Sequence, residues 1–354
     1  MHNQTHEQSI AGSAEPGLLG RRNMIKAATL GAAAIGLGGS LSREAAAAGP
    51  QGSADPARNA LLPNIVNLYC TSAAAIYDGS GNATMTITVG NFSSVAATGP
   101  VSLKVITPFY ANVNSLPSVS GATSSWLYQN TDADVPSIIK VAFSGFPANS
   151  STTVTVSFSL DPGASGPAPL GRAIFTTDAG NTQDQDSDLT RNTWAFLFVK
   201  SSLPTPAPGN TNLFYTLSEQ PLVTGGAAAS VPFNFYNGAG TLLDGTDHVA
   251  HFTFSTPFYT RVPSSGRPAG FTALYENDDP AIPSVYRLAV PAGIGALGPA
   301  APTTINIPFQ AQTGAPKMRS ISSGIVLPTG TDTQGDLSTS HHRFGFLNVV
   351  NTAV

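Results

Sequence analysis

Cysteine is almost absent from this sequence: 354 residues carry one, Cys70. A single cysteine excludes an internal disulfide and a paired Cys-x-x-Cys site. Charge is scarce as well. Charged residues are 10% of the chain, against about 25% in a typical soluble domain, which separates it from an ordinary cytosolic enzyme. The formal net charge of −4 comes with no cluster of Lys and Arg. The chain therefore lacks the electrostatic footprint of a nucleic-acid binder and the polybasic patch that would hold it on anionic lipid. There is no Gly-x-Ser-x-Gly elbow, no phosphate-cradling glycine loop and no His-Glu-x-x-His. These absences remove the motif-bearing hydrolases, nucleotide binders and zinc proteases. Triads whose members lie far apart leave no such spacing. Apolar residues, at 41%, still suffice for packed cores, so the composition is not that of a highly charged disordered chain.

What is present begins with the leader. Gly20-Arg21-Arg22-Asn23-Met24-Ile25-Lys26 is followed by the apolar, Ala/Gly-rich stretch Ala27 to Gly39 and the small-residue run Ala45 to Ala48. The apolar stretch falls short of the roughly 20 residues that span a bilayer. Basic, apolar and small residues in that order are the pattern of a cleaved signal peptide. The paired arginines, followed by two apolar residues and Lys, resemble the twin-arginine export motif. The resemblance implies a protein exported already folded and secreted, with Arg21 and Arg22 as the export signal and no membrane segment in the mature form. It does not imply a cofactor.

Beyond the leader, alternation of period two marks half-buried strands. Val154, Val156, Phe158 and Leu160 alternate with Thr155, Ser157 and Ser159. Met85, Ile87 and Val89 alternate with Thr86 and Thr88, and Val101, Leu103 and Val105 with Ser102 and Lys104. Turn-forming Gly, Pro, Asn or Asp closes each run. Cys70 lies in such an apolar run and reads as a buried strand residue.

The sequence also repeats itself. Thr107-Pro108-Phe109-Tyr110 recurs as Thr256-Pro257-Phe258-Tyr259, Leu127-Tyr128 as Leu274-Tyr275, and Pro136-Ser137 as Pro283-Ser284. Val154, Val156 and Phe158 recur as Ile305, Ile307 and Phe309, and Phe196-Leu197 as Phe346-Leu347. All matches keep one order. Between the copies runs Leu203-Pro204-Thr205-Pro206-Ala207-Pro208-Gly209, whose alternating prolines favour an extended linker. The expected organisation is a signal peptide over 1–48 and a flexible segment over 49–63. A β-sandwich domain follows over 64–202, then a Pro-rich linker over 203–210 and a second sandwich over 211–354. Each half holds roughly seven or eight short strands with frequent turns, the pattern of a sandwich. The segment from Thr86 to Val101, with its Asn91 turn and small residues, resembles bacterial immunoglobulin-like repeats of the cell-adhesion-related kind. A weaker version surrounds Phe233 to Gly238. The resemblance implies a spacer or binding module and brings no catalytic residues. The fold class is thus all-β: two tandem Ig-like or jelly-roll-like sandwiches.

Four groups of residues are candidates for a site. Asp184, Asp186 and Asp188 alternate on one acidic stretch and can converge oxygens on calcium; a solvated loop is the other reading. Asp132 and Asp134 in one copy, and Glu276, Asp278 and Asp279 in the other, read either as Asx-type turns before a strand or as a ligand site. His248 and His251, and the adjacent His341 and His342, are candidate metal ligands or surface residues. Trp126 and Tyr128, two apart and so on one face of a strand, could form with Tyr275 an aromatic platform for sugar rings, or pack in a core. The expected function is a secreted, non-catalytic binding or structural protein at the cell envelope. Its partner would be an envelope polymer or another protein. It requires no cofactor, and calcium is an optional stabiliser. A secreted carbohydrate-binding or carbohydrate-active protein is the alternative.

Overall fold

The computed structural model describes residues 66–72, 75–77, 82–109, 111–130, 132, 134–160, 171–178, 194–197, 199–201, 211–217, 221–238, 243, 248–294, 302–313, 318–329 and 344–350. The leader and the Pro-rich linker lie outside them. Every element among the described residues is a strand. The first half runs β1 (Leu68–Ser72), β2 (Ala75–Tyr77), β3 (Asn82–Asn91), β4 (Val101–Ile106), β5 (Ala111–Val113), β6 (Ala122–Tyr128), β7 (Ile138–Phe143), β8 (Ser150–Leu160), β9 (Gly171–Thr177), β10 (Trp194–Leu197) and β11 (Val199–Ser201). The second half runs β12 (Leu213–Leu217), β13 (Pro221–Val223), β14 (Ala229–Asn237), β15 (His248–Ser255), β16 (Thr260–Arg261), β17 (Phe271–Tyr275), β18 (Val285–Pro291), β19 (Thr303–Ala311), β20 (Met318–Pro328) and β21 (Phe344–Val350).

Each half is a sandwich of two main sheets, and the first adds a two-stranded sheet, β11-β2. The first pairs β1-β3-β8-β5 with β10-β9-β4-β7-β6, and the second pairs β12-β14-β19-β16 with β13-β21-β20-β15-β18-β17. Among the described residues no sheet mixes strands of the two halves, so the chain is a tandem β-sandwich. Late strands return parallel to early ones in both halves, β11 beside β2 and β21 beside β13.

The outer sheets follow the alternation of the sequence. Along β3, Ala83, Met85, Ile87 and Val89 turn inward while Asn82, Thr84 and Thr86 stay exposed. Antiparallel pairing with β8 sets Met85 opposite Val156 and Ile87 opposite Val154, so one face buries the apolar set of both strands. The first core is mostly aliphatic and contains Cys70, which is wholly buried. The second is aromatic, with Phe233, Phe235, Phe252, Phe254 and Phe309 in mutual ring contact. At the outer edge Tyr69 lies across Gly90, its partner in the ladder, and stacks on Phe92 at 3.8 Å. Any side chain at Gly90 would occupy the space of that ring.

The inner sheets depart from the alternation. In β4 all six residues are buried, including Ser102 and Lys104, which the pattern of the sequence directs toward solvent. The reason is a second layer. Residues of β4 and β9 that point away from the first core point at the inner sheet of the second sandwich. Ile174 packs with the second core and Ile325 with the first. The four main sheets therefore stack as layers, with the five-stranded and six-stranded ones face to face in the middle.

Ladder registers define equivalent positions in the two halves. Ile106 pairs with Arg172 and Ile138, as Ser255 pairs with Ser323 and Val285. Lys104 pairs with Lys140 and Ile174, as Thr253 pairs with Arg287 and Ile325. The repeat extends to single hydrogen bonds. The Ser137 backbone amide donates to Thr107 Oγ1 at 2.9 Å, and that of Ser284 to Thr256 Oγ1 at 3.0 Å. Asn91 Oδ1 accepts from the Asn67 amide as Asn237 Oδ1 accepts from Asn212.

Candidate functional site

The arranged chemistry of the described residues lies between the two inner sheets. Its apolar part is built from equivalent residues of both halves: Val135 and Ile138 meet their counterparts Ile282 and Val285, together with Ile106. Leu127, Tyr128, Leu274 and Tyr275 close the cluster. Contact between the same patch on two copies is the signature of a twofold, isologous interface, formed here within one chain. At its centre the rings of Tyr128 and Tyr275 stack with centroids 5.2 Å apart. Each hydroxyl accepts from an asparagine two residues on, Asn130 Nδ2 at 2.8 Å and Asn277 Nδ2 at 2.6 Å. Each of those asparagines also accepts, at 2.7 Å, the amide of Asp132 or Asp279. The Asx turns expected around Asp132 and Asp279 exist, and asparagine forms them in both copies. Asp279 adds one of its own, accepting the Ala281 amide at 2.9 Å.

The tyrosine pair reaches this position through β-bulges. In β6 the register skips Leu127, so Trp126 opposes Ile139 and Tyr128 opposes Ile138. In β17 it skips Leu274 in the same way. A bulge breaks the two-residue period. Trp126 consequently packs against the first core while Tyr128 and Leu127 join the central cluster. This corrects the expectation that Trp126 and Tyr128 share one face. The structure brings Tyr128 and Tyr275 together, ring on ring, and places Trp126 elsewhere. Tyr128→Ala and Tyr275→Ala should couple: unfolding of the two single variants and the double variant in urea is expected to show about 0.5–1.5 kcal/mol of non-additivity. Strict additivity would mean the rings do not hold each other.

Polar and ionic groups surround the cluster. Lys104 is 1% exposed, and its Nζ donates to Thr176 Oγ1 at 3.0 Å and to Asp178 Oδ1 at 3.1 Å. Lys140 Nζ lies 2.8 Å from Asp178 Oδ2, and Ser102 Oγ donates to Oδ1. Burial pushes the Lys104 ammonium below its ordinary value, against the pull of Asp178. Burial by itself would raise the Asp178 carboxyl. Hydrogen bonds from Lys140 and Ser102, with the charge of Lys104, outweigh that and hold it below the usual carboxylate range.

Two arginines cross between the halves. Arg287 of β18 reaches Asp134 Oδ2 at 2.9 Å and Thr253 Oγ1 at 3.2 Å. Arg172 of β9 is 1% exposed and donates to Ser255 Oγ at 2.6 Å and to the Thr256 carbonyl at 3.0 Å, with its guanidinium 5.4 Å from the Phe258 ring centre. Burial pushes Arg172 down to about 9, which leaves it a cation at neutral pH. Ser255 Oγ and Ser323 Oγ lie 2.8 Å apart.

Of the other candidates, Glu276 accepts from the Tyr286 hydroxyl at 2.9 Å and pairs with Arg267, whose guanidinium lies over Phe271 and Tyr286. Among the described residues no three of His, Cys, Asp and Glu gather to hold a metal ion. Asp184, Asp186, Asp188, His341 and His342 lie outside the described residues, as does the side chain of His248. Sequence reading missed Lys104, Arg172, Asp178 and Arg287. The one available signal was a lysine inside the β-branched run of β4.

No protein-family model matches this chain, and no curated protein does. Solved structures overlap it weakly. The CARDB domain of a Pyrococcus furiosus protein has 14% identity over 40% of this chain and 99% of that one, with a TM-score of 0.24. The C-terminal domain of an antigen I/II-family protein of Streptococcus pyogenes has 10% identity over 80% and 100%, also at 0.24. A cohesin–dockerin complex of Clostridium thermocellum gives 7% identity over 42% and 98%, at 0.25. Superpositions this loose carry no argument about function. The tandem β-sandwich class rests on this chain's own sheets.

Proposed function

We propose that the protein is a secreted, non-catalytic tandem β-sandwich protein with a binding or structural role at the cell envelope. The observation that supports this reading most is where the polar chemistry goes. Lys104, Arg172, Asp178, Asp134 and Arg287 are all engaged with one another or with backbone and hydroxyl groups between the inner sheets. Arg172 on Ser255 and Thr256, and Arg287 on Asp134, fasten the two sandwiches to each other, while Lys104 and Asp178 pair within the first. Such a fixed arrangement suits a module that presents its outer surfaces to a partner. Residues 1–48 serve as a twin-arginine leader read through Arg21 and Arg22. The mature chain is released without a membrane segment, as the sandwiches over 64–202 and 211–354 joined by the linker 203–210.

The route is tested by replacing Arg21 and Arg22 with Lys together. The precursor should accumulate inside the cell and the extracellular form should vanish; unchanged secretion would refute the route. The role is tested by co-sedimenting the mature protein with purified cell walls and with insoluble polysaccharides. Retention on walls without release of soluble product is expected. Retention on a single polysaccharide would make the protein a carbohydrate binder. Release of soluble sugar from any polymer would overturn the non-catalytic reading.

A further inference from the structure

The two inner faces descend from one pattern, yet they differ at the positions where charge is buried. Arg172 on the first face has Ser323 as its counterpart on the second. Ser255, which receives Arg172, has Ile106 as its counterpart on the first face. Asp134, which receives Arg287, has Ala281 as its counterpart. That equivalence follows from the matching turns, in which the Val135 amide donates to the Asp132 carbonyl and the Ile282 amide to the Asp279 carbonyl.

An isologous patch is by construction able to pair with another copy of itself. Two first faces and two second faces are therefore the competing arrangements to the one observed. A pair of first faces would set each Arg172 against the aliphatic side chain of Ile106 where a hydroxyl now stands. The Thr107 carbonyl, counterpart of the Thr256 carbonyl, would still face the guanidinium, but hydrocarbon would replace the hydroxyl acceptor, and a buried guanidinium short of an acceptor is unfavourable. The other ions of the first face do not object to such a pair. Lys104 takes its carboxylate from Asp178 within the same half. Asp134 would meet Lys140, the counterpart of Arg287. A pair of second faces would set Arg287 against Ala281 and leave it without a carboxylate. Each homotypic arrangement thus takes one acceptor from an arginine, the hydroxyl of Arg172 or the carboxylate of Arg287, and only the heterotypic one supplies both. Specificity of this kind comes from penalising wrong partners as much as from rewarding the right one.

We propose that Arg172 is the residue that restricts the first inner face to a partner offering the Ser255 hydroxyl and Thr256 carbonyl, so that the sandwiches close on each other within one chain and do not pair like with like between chains. Asp134, through Arg287, sets the same restriction on the second face. The consequence is a chain that stays monomeric although it carries two copies of a self-complementary surface.

The test compares the purified protein with Arg172→Ser and Ser255→Ala by light scattering behind size exclusion over a concentration series, with circular dichroism to confirm folding. Both substitutions remove the 2.6 Å hydrogen bond; Arg172→Ser also removes the bond to the Thr256 carbonyl, and only Ser255→Ala leaves the guanidinium in place. The wild-type protein should run at the mass of one chain. Arg172→Ser should double in mass as concentration rises, because the block to first-face pairing is gone. Ser255→Ala should remain at one chain mass, because the block is intact. Arg172→Met, which keeps an unbranched apolar side chain of similar length in the buried position, should behave as Arg172→Ser does and serves if the serine variant fails to fold. The same oligomeric state for folded Arg172 and Ser255 variants would overturn the proposal, whether both are monomers or both dimers.

Discussion

Asp178→Ala is expected to lower the stability of the folded chain by about 3–5 kcal/mol, the cost of leaving a buried charge without its partner. Asp178 is the carboxylate for both Lys104 and Lys140. Lys104, at 1% exposed, loses its carboxylate when Asp178 is truncated. Thr176 Oγ1 would remain as its acceptor, which a hydroxyl fulfils without neutralising the ammonium. The same group sets a pH dependence. Because the folded protein holds the Asp178 carboxyl below its ordinary value, its contribution is complete above the unfolded carboxylate pKa of about 3.9. That contribution is lost as pH falls through the lower folded value. Urea unfolding between neutral pH and strong acid should therefore show a steeper acid decline for the wild-type protein than for Asp178→Asn. Parallel curves would show that the pairing does not contribute to stability.

Phe252→Ala is the second large effect, about 3–5 kcal/mol for truncating a fully buried phenylalanine. Phe252 is wholly buried and in ring contact with Tyr215, Phe233, Phe235 and Phe254, at centroid distances from 4.7 to 5.4 Å. Four neighbours on several strands of two sheets limit how far the site can collapse, which places the cost toward the upper end of large-to-small substitutions. The loss should appear as a lower urea midpoint for the whole chain. If the inner sheets hold the halves as one body, damage in the second core is felt by the first.

The outer sheets were legible in the sequence because one of their faces meets water. The alternation of Met85, Ile87 and Val89 with Thr86 and Thr88 is reproduced in β3, and Cys70 is buried as its apolar run requires. The inner sheets were not legible for the same physical reason inverted. A period-two rule assigns Ser102 and Lys104 to solvent. It has no knowledge of a second sandwich lying over that face, where hydrogen bonds and ion pairs make polar side chains tolerable. The bulges at Leu127 and Leu274 defeated the rule locally, since one extra residue reverses the direction of everything after it. The repeats Leu127-Tyr128 and Leu274-Tyr275 were visible as matched letters. That the two copies touch each other is a fact of tertiary packing that no local pattern encodes. Arg172 left no trace in the spacing of residues. Its partners Ser255 and Thr256 lie more than 80 positions away.

Cys70 gives the most direct test of whether the two sandwiches are one body. It sits in the first core, where burial pushes its thiol above the ordinary value and shields it from reagents. Its reaction with a chromogenic disulfide reagent across a urea series reports the opening of the first sandwich alone. Phe252→Ala damages the second. One cooperative body requires the Cys70 midpoint to fall in that variant by the same urea increment as the circular dichroism midpoint. A Cys70 midpoint that stays at the wild-type value, beside an earlier separate transition by circular dichroism, would contradict it.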